Sequence, residues 1–451
     1  MKEKTVYTYM NIEKVDYFVG TLTFHYSEDD EYSTFEYSKE WLENKYRHPL
    51  GFDLPLKEGV FNSKDLYPNQ YHKIFYSLLI PASVLWPAVF VYPYLWLYLK
   101  KKKQLPKNAN FDIKILYNFF TVTDRTFTVN QLNEDNIPLE LLINLNNDFT
   151  RSGALRFKFE KDGDFINPYS KVKLPTEDDF EKILNIQNRI QNNKETPKEF
   201  EKFLACTSSL AGFMPKMNIL DYEGNLCIAK YGSIGYDISA FGEEYLGLLI
   251  AKKFGLKLQE FKVKYTENKE PYLILKRFDR KGEIRYPLME LDRLVNFQTG
   301  KKYIPNIVRK LCNKTPVTSM REYFKRLIFR LVTFTRKDER GNVAFIYDTN
   351  KGWSLAPAYD ITFKTYEAET DPIVINKILR KKYRRTRTRV KTLKRMAHLY
   401  QINNKEFNKI MKQLNRATIG WKNLALKIGY KKEDLISIQF FPDCLKCTKI
   451  Y

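Results

Sequence analysis

A lysine and an acidic helix start in the middle of the chain could serve phosphoryl transfer. Lys230 ends the second strand of a predicted hairpin, and the helix that follows begins with Glu243 and Glu244. Phosphoryl transfer requires backbone N–H groups and a lysine that bind the phosphates, a carboxylate that positions the lysine, and oxygen ligands for Mg²⁺. The order of these residues therefore indicates a kinase-like arrangement, although Lys230 taken alone is also consistent with a solvated lysine at a strand end.

The elements that would position these residues follow from the apolar pattern. Two short strands, 217–220 and 226–230, flank a turn at Gly224 and predict a β-hairpin. An apolar stripe predicts an amphipathic helix over 243–254, and the glycine after it is a favourable helix C-cap. Residues 271–278 have the pattern of a strong strand, after which the chain is mostly helical.

The whole chain divides into three predicted regions of an α+β protein. Residues 1–175 have the pattern of a mixed α/β subdomain, in which alternating apolar residues over 14–26 predict a hairpin around Gly20. Residues 176–280 hold the hairpin, the lysine and the acidic helix. Residues 281–451 predict a mostly helical C-terminal lobe, so the fold class that we expect is α+β with two lobes.

Composition excludes a disordered chain and favours an anionic partner. Of the 451 residues, 43% are hydrophobic, which is typical of a globular protein. Lys and Arg outnumber Asp and Glu by 76 to 53, and a net charge of +23 favours nucleic acid, nucleotide phosphates, acidic proteins or anionic membranes as partners. Five cysteines, with one CxxC pair at Cys444 and Cys447, indicate neither a disulfide framework nor a zinc site. With no apolar leader after Met1, we expect a reducing, cytoplasmic location.

One apolar segment leaves a membrane-associated protein as an alternative. Residues 74–99 are nearly all apolar and precede the basic run 100–103, which suits a membrane span. Pro81, Pro87 and Pro93 interrupt the segment, and each would remove a helix hydrogen bond. A buried, proline-broken segment of a domain core fits the pattern equally well, and we therefore expect that the chain does not span a membrane.

Four stretches of the chain resemble the HipA family of serine/threonine kinases, the toxin half of bacterial toxin–antitoxin pairs. Residues 208–216 (SSLAGFMPK) are similar to its phosphate loop, and residues 277–280 (RFDR) to its R-F-D-R motif. Residues 353–362 (WSLAPAYDIT) resemble the segment that holds a Mg²⁺-binding aspartate, and residues 151–157 (RSGALRF) resemble a strand of the N-terminal lobe. The stretches occur in the family's order, so the resemblance implies its two-lobed, protein-kinase-like fold.

The resemblance also implies roles for individual residues, with ATP and Mg²⁺ as cofactors. Asn342 and Asp360 would bind Mg²⁺, and Ser209 matches a serine whose autophosphorylation switches the kinase off. From the residues alone, Arg277 and Asp279 could equally form a structural ion pair, and Asp360 could be a helix cap. The implied nucleotide-binding residues are Ser208, Ser209, Ala211, Gly212, Lys216, Lys230, Glu244, Arg277 and Phe278.

The catalytic loop departs from the family's D-x-H-x-x-N pattern, in which the aspartate accepts the proton of the substrate hydroxyl. Aligning Asn342 and Phe345 places Lys337 at the aspartate position, and Asp338 comes one residue late. A protonated lysine cannot act as a general base. Three explanations stay open: a shifted loop with Asp338 as the catalytic residue, a nucleotide-binding pseudokinase, or an inactivated copy. The lysine favours diminished or lost catalysis.

The expected partners follow from the same resemblance. Members of the family phosphorylate protein substrates such as aminoacyl-tRNA synthetases, and a HipB-like DNA-binding antitoxin restrains them. Residues 377–391 hold nine Lys or Arg and no acidic residue, which suits contact with a phosphate backbone or, equally, a solvated basic surface. The alternative function is a pseudokinase that binds an antitoxin or nucleic acid.

Overall fold

The computed structural model forms two compact units. Unit 1 comprises Met1–Tyr231 and Lys262–Met289, and unit 2 comprises Gly232–Phe261 and Glu290–Tyr451. The predicted boundaries after residues 175 and 280 stay predictions. The residues that the structure describes are 2–26, 31–66, 72–73, 75, 78, 147–166, 173–191, 194, 196–207, 210, 215–232, 239–294, 304–332, 342–361, 386–433 and 435.

Strands predominate in the first part of the described chain and helices in the last. The strands are β1 (Lys2–Ile12), β2 (Val15–Tyr26), β3 (Glu31–Tyr37), β4 (Val60–Asn62), β5 (His72–Lys73), β6 (Leu155–Lys158), β7 (Lys216–Leu220), β8 (Leu226–Tyr231), β9 (Phe261–Tyr265), β10 (Pro271–Lys276), β11 (Arg280–Lys281), β12 (Ile284–Arg285), β13 (Leu288–Glu290), β14 (Ala344–Asp348) and β15 (Gly352–Leu355). The helices are α1 (Lys39–Glu43), α2 (Ser63–Leu66), a 3₁₀ turn (Glu177–Asp179), α3 (Phe180–Gln191), α4 (Pro197–Thr207), α5 (Ser239–Phe254), α6 (Leu291–Leu294), α7 (Ile304–Leu311), α8 (Pro316–Val332), α9 (Thr386–Leu399), α10 (Asn404–Thr418) and α11 (Trp421–Lys427).

The first sheet of unit 1 has the strand order β4-β3-β2-β1-β6, and β5 pairs with β3 in parallel. Strands β1 and β2 pair antiparallel and join at Glu13 and Lys14, whose φ angles of 51° and 68° lie in the left-handed region. Alternate residues of these strands bury one apolar face, as the period of a strand requires. This core includes Val6, Met10, Val19, Leu22, Phe24, Phe35, Trp41 and Phe157.

The predicted hairpin around Gly20 is wrong. Gly20 lies inside β2, where it faces Tyr37 of β3. A Cβ atom at this position would collide with the carbonyl oxygen of Glu36. The glycine therefore allows a close approach of two strands and does not form a turn.

The second sheet of unit 1 has the order β7-β8-β10-β9. Its first two strands form the predicted hairpin, in which Gly224 takes a φ angle of 78° at the turn. The strand predicted over 271–278 is observed as β10, which pairs antiparallel with β8. Both predictions are confirmed. Alternating apolar residues and a glycine turn are strong local signals, which is why the sequence alone could predict these strands.

Unit 2 is built mainly from helices around one hairpin of β14 and β15. The predicted helix over 243–254 is confirmed within α5, but α5 begins four residues earlier, so Glu243 and Glu244 do not lie in its first turn. The helix is also buried on most sides, so the predicted amphipathic character is wrong. It ends at Phe254, and Gly255 follows with a φ angle of 76°. The N–H groups of Gly255 and Leu256 bond to the carbonyl oxygens of Lys252 and Ala251 at 3.0 and 3.1 Å, which closes the helix with a Schellman motif. Helix α5 packs against α10, and α7 packs against α8.

The apolar segment 74–99 falls almost entirely outside the described residues. Within it only Phe75 and Leu78 are described, and both side chains are buried. Among the residues that the structure describes, no helix is both long and apolar enough to cross a bilayer.

Candidate functional site

Two lysines face each other on the second sheet of unit 1. Lys216 of β7 pairs in register with Lys230 of β8, and Lys230 pairs with Leu273 of β10. Since residues paired across neighbouring strands point to the same face of a sheet, these side chains form one row. Ile228 and Leu275 form the next row on that face. The predicted phosphate-binding lysines therefore share one face with an apolar floor, and they are only 6% and 8% exposed.

The opposite face of this sheet is filled by helices α3 and α4. Phe180 of α3 stacks on Tyr272 with ring centroids 3.9 Å apart. Because one face packs on helices, a ligand of this sheet can only approach the face that carries the lysines. The residues of the buried face and its helices include Phe180, Ile183, Phe203, Met217, Ile219, Cys227, Ala229 and Ile274.

Arg277 forms the structural ion pair that the sequence left open. Its Nε and Nη2 atoms donate to the two carboxylate oxygens of Asp279 at 2.9 and 2.7 Å. Its Nη1 donates to the carbonyl oxygen of Thr150 and the side-chain oxygen of Asn218 at 2.7 and 3.0 Å. Burial alone would raise the pKa of Asp279, but Arg277 and Arg280 together hold it well below its ordinary value. All three nitrogen atoms of the Arg277 guanidinium thus donate to protein groups.

The same network ties the 277–280 motif to the 151–157 motif. Asp279 accepts the N–H of Gly153 at 2.8 Å, and Arg280 Nη1 donates to the carbonyl oxygen of Gly153 at 2.7 Å. Asp148 accepts from Arg156 Nη2 at 2.7 Å and from Arg285 Nη2 at 3.0 Å. Both motifs therefore brace unit 1. Sequence reasoning missed Asp148 and Arg285 because neither belongs to a recognisable pattern.

The predicted metal ligands lie at one end of the β14–β15 hairpin in unit 2. Phe345 pairs with Leu355, and the N–H of Ala356 donates to the carbonyl oxygen of Ala344 at 2.9 Å. Asn342 precedes the first strand and Asp360 follows the second, so both come from the open end of the hairpin. Asp360 has a φ angle of 53°, a left-handed conformation that aspartate tolerates better than most residues.

The donor types at this end suit Mg²⁺. Asn342 and Asp360 offer amide and carboxylate oxygens, the hard ligands that Mg²⁺ takes alongside water and phosphate oxygens. Within the described part of the chain, no group of three or more His, Cys, Asp or Glu residues could hold a metal by itself. A Mg²⁺ ion on these two ligands would therefore take further ligands from phosphates and water.

Helix α5 places Gly247 against the chain segment that carries Asp360, within unit 2. Glu244 of the same helix is only 4% exposed, and its positioning role stays a prediction. One turn along the helix, a Cβ atom at Gly247 would lie 2.6 Å from the carbonyl oxygen of Ile361, the residue after Asp360. The glycine permits the backbone that carries Asp360 to lie directly on the helix.

Comparison with known proteins gives the family of residues 208–421 and the fold of the whole chain. The family model of the HipA-like C-terminal domain matches residues 208–421. The structure is similar to the HipA, HipB and operator DNA complex of the toxin–antitoxin system of Shewanella oneidensis MR-1, with a TM-score of 0.56, 15% identity, and coverage of 98% of this chain and 96% of that chain. Residues 208–421 therefore belong to the HipA-like C-terminal domain family, and the chain has a HipA-like fold.

Two further comparisons add nothing to the family assignment. A crystal structure of the Helicobacter pylori proinflammatory kinase CtkA matches with 17% identity over 51% of this chain and 90% of that chain, at a TM-score of 0.33 that supports no argument. No curated protein matches the chain by sequence. The HipA-like assignment carries with it a two-lobed, kinase-like α+β fold, as the sequence predicted.

Several predicted site residues of this HipA-like chain are not among those described. Ser208, Ser209, Ala211, Gly212 and Asp338 lie outside the described residues, as do Lys337 and residues 377–385. Lys230 belongs to unit 1 and Glu244 to unit 2, and their pairing stays a prediction. Phe278 is half-buried directly after Arg277. The structure thus places Lys216 beside Lys230 in one sheet, and it places Asn342 and Asp360 on the two chain segments that flank the β14–β15 hairpin.

Proposed function

We propose that the chain is a HipA-like serine/threonine kinase that uses ATP and Mg²⁺, with impaired catalysis, and that it is the toxin of a toxin–antitoxin pair. The observation that carries the proposal is the row formed by Lys216 and Lys230. Like charges directly opposite on a sheet destabilise it. Two lysines on one half-apolar face suit a polyanion such as a triphosphate, and Ile228, Leu273 and Leu275 suit an adenine ring.

The proposed roles follow the family plan. The loop 208–216 covers the phosphates, Lys216 and Lys230 bind them, and Glu244 orients Lys230. Asn342 and Asp360 hold Mg²⁺, which when bound supplies charge neutralisation at the phosphates. The hydroxyl oxygen of a substrate serine or threonine attacks the γ-phosphorus, its proton passes to a carboxylate, and the bond to the β-phosphate oxygen breaks to release ADP.

The proton acceptor in this scheme is Asp338, and its place in the loop is the reason for impaired catalysis. It lies one residue after the family's aspartate position, which Lys337 occupies. A displacement of about 1 Å in a catalytic group can reduce the rate on the order of 10²-fold. The lysine is also the observation that favours the second candidate function, a pseudokinase that binds nucleotide and a partner without transferring phosphate.

The proposed partners are an antitoxin and a protein substrate in the cytoplasm. The Shewanella neighbour is described in complex with HipB and operator DNA, and we extend a HipB-like, DNA-binding antitoxin to this chain by analogy. The basic run 377–391 would then contact a DNA phosphate backbone. An aminoacyl-tRNA synthetase is the proposed substrate class, and phosphorylation of Ser209 is the proposed off-switch.

Nucleotide binding by a lysine variant tests the proposed site. Lys230→Met removes the charge from the proposed phosphate face, and Lys276→Met removes a charge from β10 of the same sheet. Lys276 is the matched control because it pairs with Cys227, whose side chain lies on the helix-covered face. We expect Lys230→Met to weaken Mg²⁺·ATP binding about tenfold or more, since a charge-assisted hydrogen bond is lost.

Calorimetric titration of both variants and the parent measures this difference. Equal affinities of Lys230→Met and the parent would contradict the assignment of Lys230. A parent that binds no adenine nucleotide would contradict the proposed function as a whole.

A further inference from the structure

Two arginines one turn apart on helix α8 contact the chain segments that carry the proposed metal ligands. Arg330 Nη2 donates to the carbonyl oxygen of Asn342 at 3.0 Å, and Arg326 Nη2 donates to the carbonyl oxygen of Ala356 at 2.6 Å. Residues four apart lie on the same face of a helix. A single face of α8 therefore holds the entry to β14 and the exit from β15.

Both side chains are deeply buried for arginines. Arg326 is 3% exposed and Arg330 is 8% exposed. Burial lowers the pKa of the Arg326 guanidinium, and Glu322, which accepts from its Nε at 3.1 Å, opposes that change. An apolar side chain of similar volume would pack there without this desolvation. The guanidinium fork, in contrast, can fix the direction of a carbonyl group.

The segment that leads to Asp360 is held at further points within unit 2. The N–H of Ala358 donates to the carbonyl oxygen of Lys257 at 2.7 Å, and the carbonyl of Ile361 lies against Gly247. Arg326 and these contacts fix the backbone on both sides of Asp360. Asn342 is fixed through its own carbonyl group by Arg330, so its side-chain amide remains available to a ligand.

We propose that Arg326 and Arg330 are positioning residues that set the geometry of Asn342 and Asp360 for a divalent cation. The inference rests on the proposed function, because it assumes that these two residues bind Mg²⁺ together with a nucleotide. Neither arginine touches the nucleotide or the metal. Each acts through a main-chain carbonyl, and loss of either contact lets one metal ligand move while the lysine-bearing sheet of unit 1 is unchanged.

The test separates metal-dependent from metal-independent nucleotide binding. Dissociation constants for ADP are measured by calorimetry in excess Mg²⁺ and in EDTA for the parent, Arg330→Gln, Arg330→Lys and Arg326→Lys. Arg321→Gln is the matched control, because Arg321 lies on the same helix, is half-exposed and pairs with Glu406. Thermal unfolding shows whether each variant is folded. If Arg330→Gln does not fold, the binding data of Arg330→Lys and Arg326→Lys test the inference.

We expect Mg²⁺ to strengthen ADP binding to the parent and to the Arg321→Gln control by the same factor. In Arg330→Gln that factor falls about tenfold, the effect of one lost charge-assisted hydrogen bond. The affinity in EDTA stays within about twofold. Arg330→Lys recovers part of the loss because, unlike glutamine, it keeps a positively charged donor.

Different results overturn different claims. Equal weakening of ADP binding in EDTA and in Mg²⁺ would show that the arginines only support the fold. If Mg²⁺ strengthens ADP binding to the glutamine and lysine variants as much as to the parent, the arginines do not position the metal ligands. Either result overturns this inference and leaves the proposed function standing. A parent without Mg²⁺-dependent ADP binding overturns both.

Discussion

Removing the negative charge of Asp279 should destabilise unit 1 more than any change at its surface. The carboxylate accepts four N–H donors: Arg277 Nε at 2.9 Å, Arg277 Nη2 at 2.7 Å, Arg280 Nη1 at 2.9 Å and Gly153 N at 2.8 Å. Asp279, Arg277 and Arg280 are each less than 7% exposed. Asp279→Asn keeps the shape of the side chain, so its effect reports charge and hydrogen bonding without a cavity.

The expected magnitude follows from the two arginines that the substitution leaves without a counter-charge. Breaking a buried ion pair by removing one partner reduces the free energy of unfolding by about 3–5 kcal/mol. With a urea dependence of about 3 kcal/mol per molar, the unfolding midpoint should fall by about 1–2 M. The depressed pKa of Asp279 also predicts that its charge stabilises the fold. A carboxyl whose pKa is lower in the folded than in the unfolded chain contributes to stability at neutral pH and loses that contribution only in acid.

Urea unfolding followed by circular dichroism measures the effect, and hydrogen exchange of the peptides that cover residues 147–158 assigns it to unit 1. Glu283→Gln is the control, because Glu283 pairs with Lys14 at 2.6 Å but both side chains are mostly exposed. Exposed pairs contribute little, so the control should unfold like the parent. A loss below about 1 kcal/mol in Asp279→Asn would refute the view that the 277–280 motif braces the fold.

Two further predictions concern a buried histidine and a packed glycine. Burial lowers the pKa of His48 from its ordinary value near 6.5 to about 4. As the pH falls, the unfolded chain therefore takes up a proton at this histidine before the folded chain does, and the free energy of unfolding should fall by up to about 3 kcal/mol between pH 6.5 and 4. Urea unfolding midpoints across that range measure the loss, and His48→Gln should lack it. In Gly247→Ala the new methyl group would lie 2.6 Å from the carbonyl oxygen of Ile361. Overpacking should cost about 1–3 kcal/mol of stability, which outweighs the gain of about 1 kcal/mol in helix propensity. The melting temperature should therefore fall, and a rise would contradict this packing.

The local elements around the proposed site could be predicted from the sequence. The β7–β8 hairpin and β10 combine clear periodicity with a glycine turn, and Gly255 marks the C-terminal end of α5. These signals do not depend on the rest of the chain. The turn between β1 and β2 could not be found, because Glu13 and Lys14 adopt left-handed conformations without a glycine or asparagine to mark them. Gly20 carried the only local turn signal and serves strand packing.

Tertiary roles of charged residues were beyond the sequence. Arg326 and Arg330 share α8 with one other arginine, the half-exposed Arg321, and their burial and their bonds to Ala356 and Asn342 distinguish them from it. Arg277 could be a ligand or half of an ion pair, and its geometry with Asp279 alone decides for the ion pair. Such choices depend on which segments meet in space, which periodicity and motif spacing do not encode.

The most direct test of the proposed kinase is the intact mass of the purified protein before and after incubation with Mg²⁺·ATP. Asp338→Ala and Asp360→Ala serve as variants that remove the proton acceptor and a metal ligand. The account predicts slow addition of phosphate to the parent and none to either variant. A parent that starts unphosphorylated, binds ATP and gains no phosphate would contradict the kinase and leave the pseudokinase as the function of this chain.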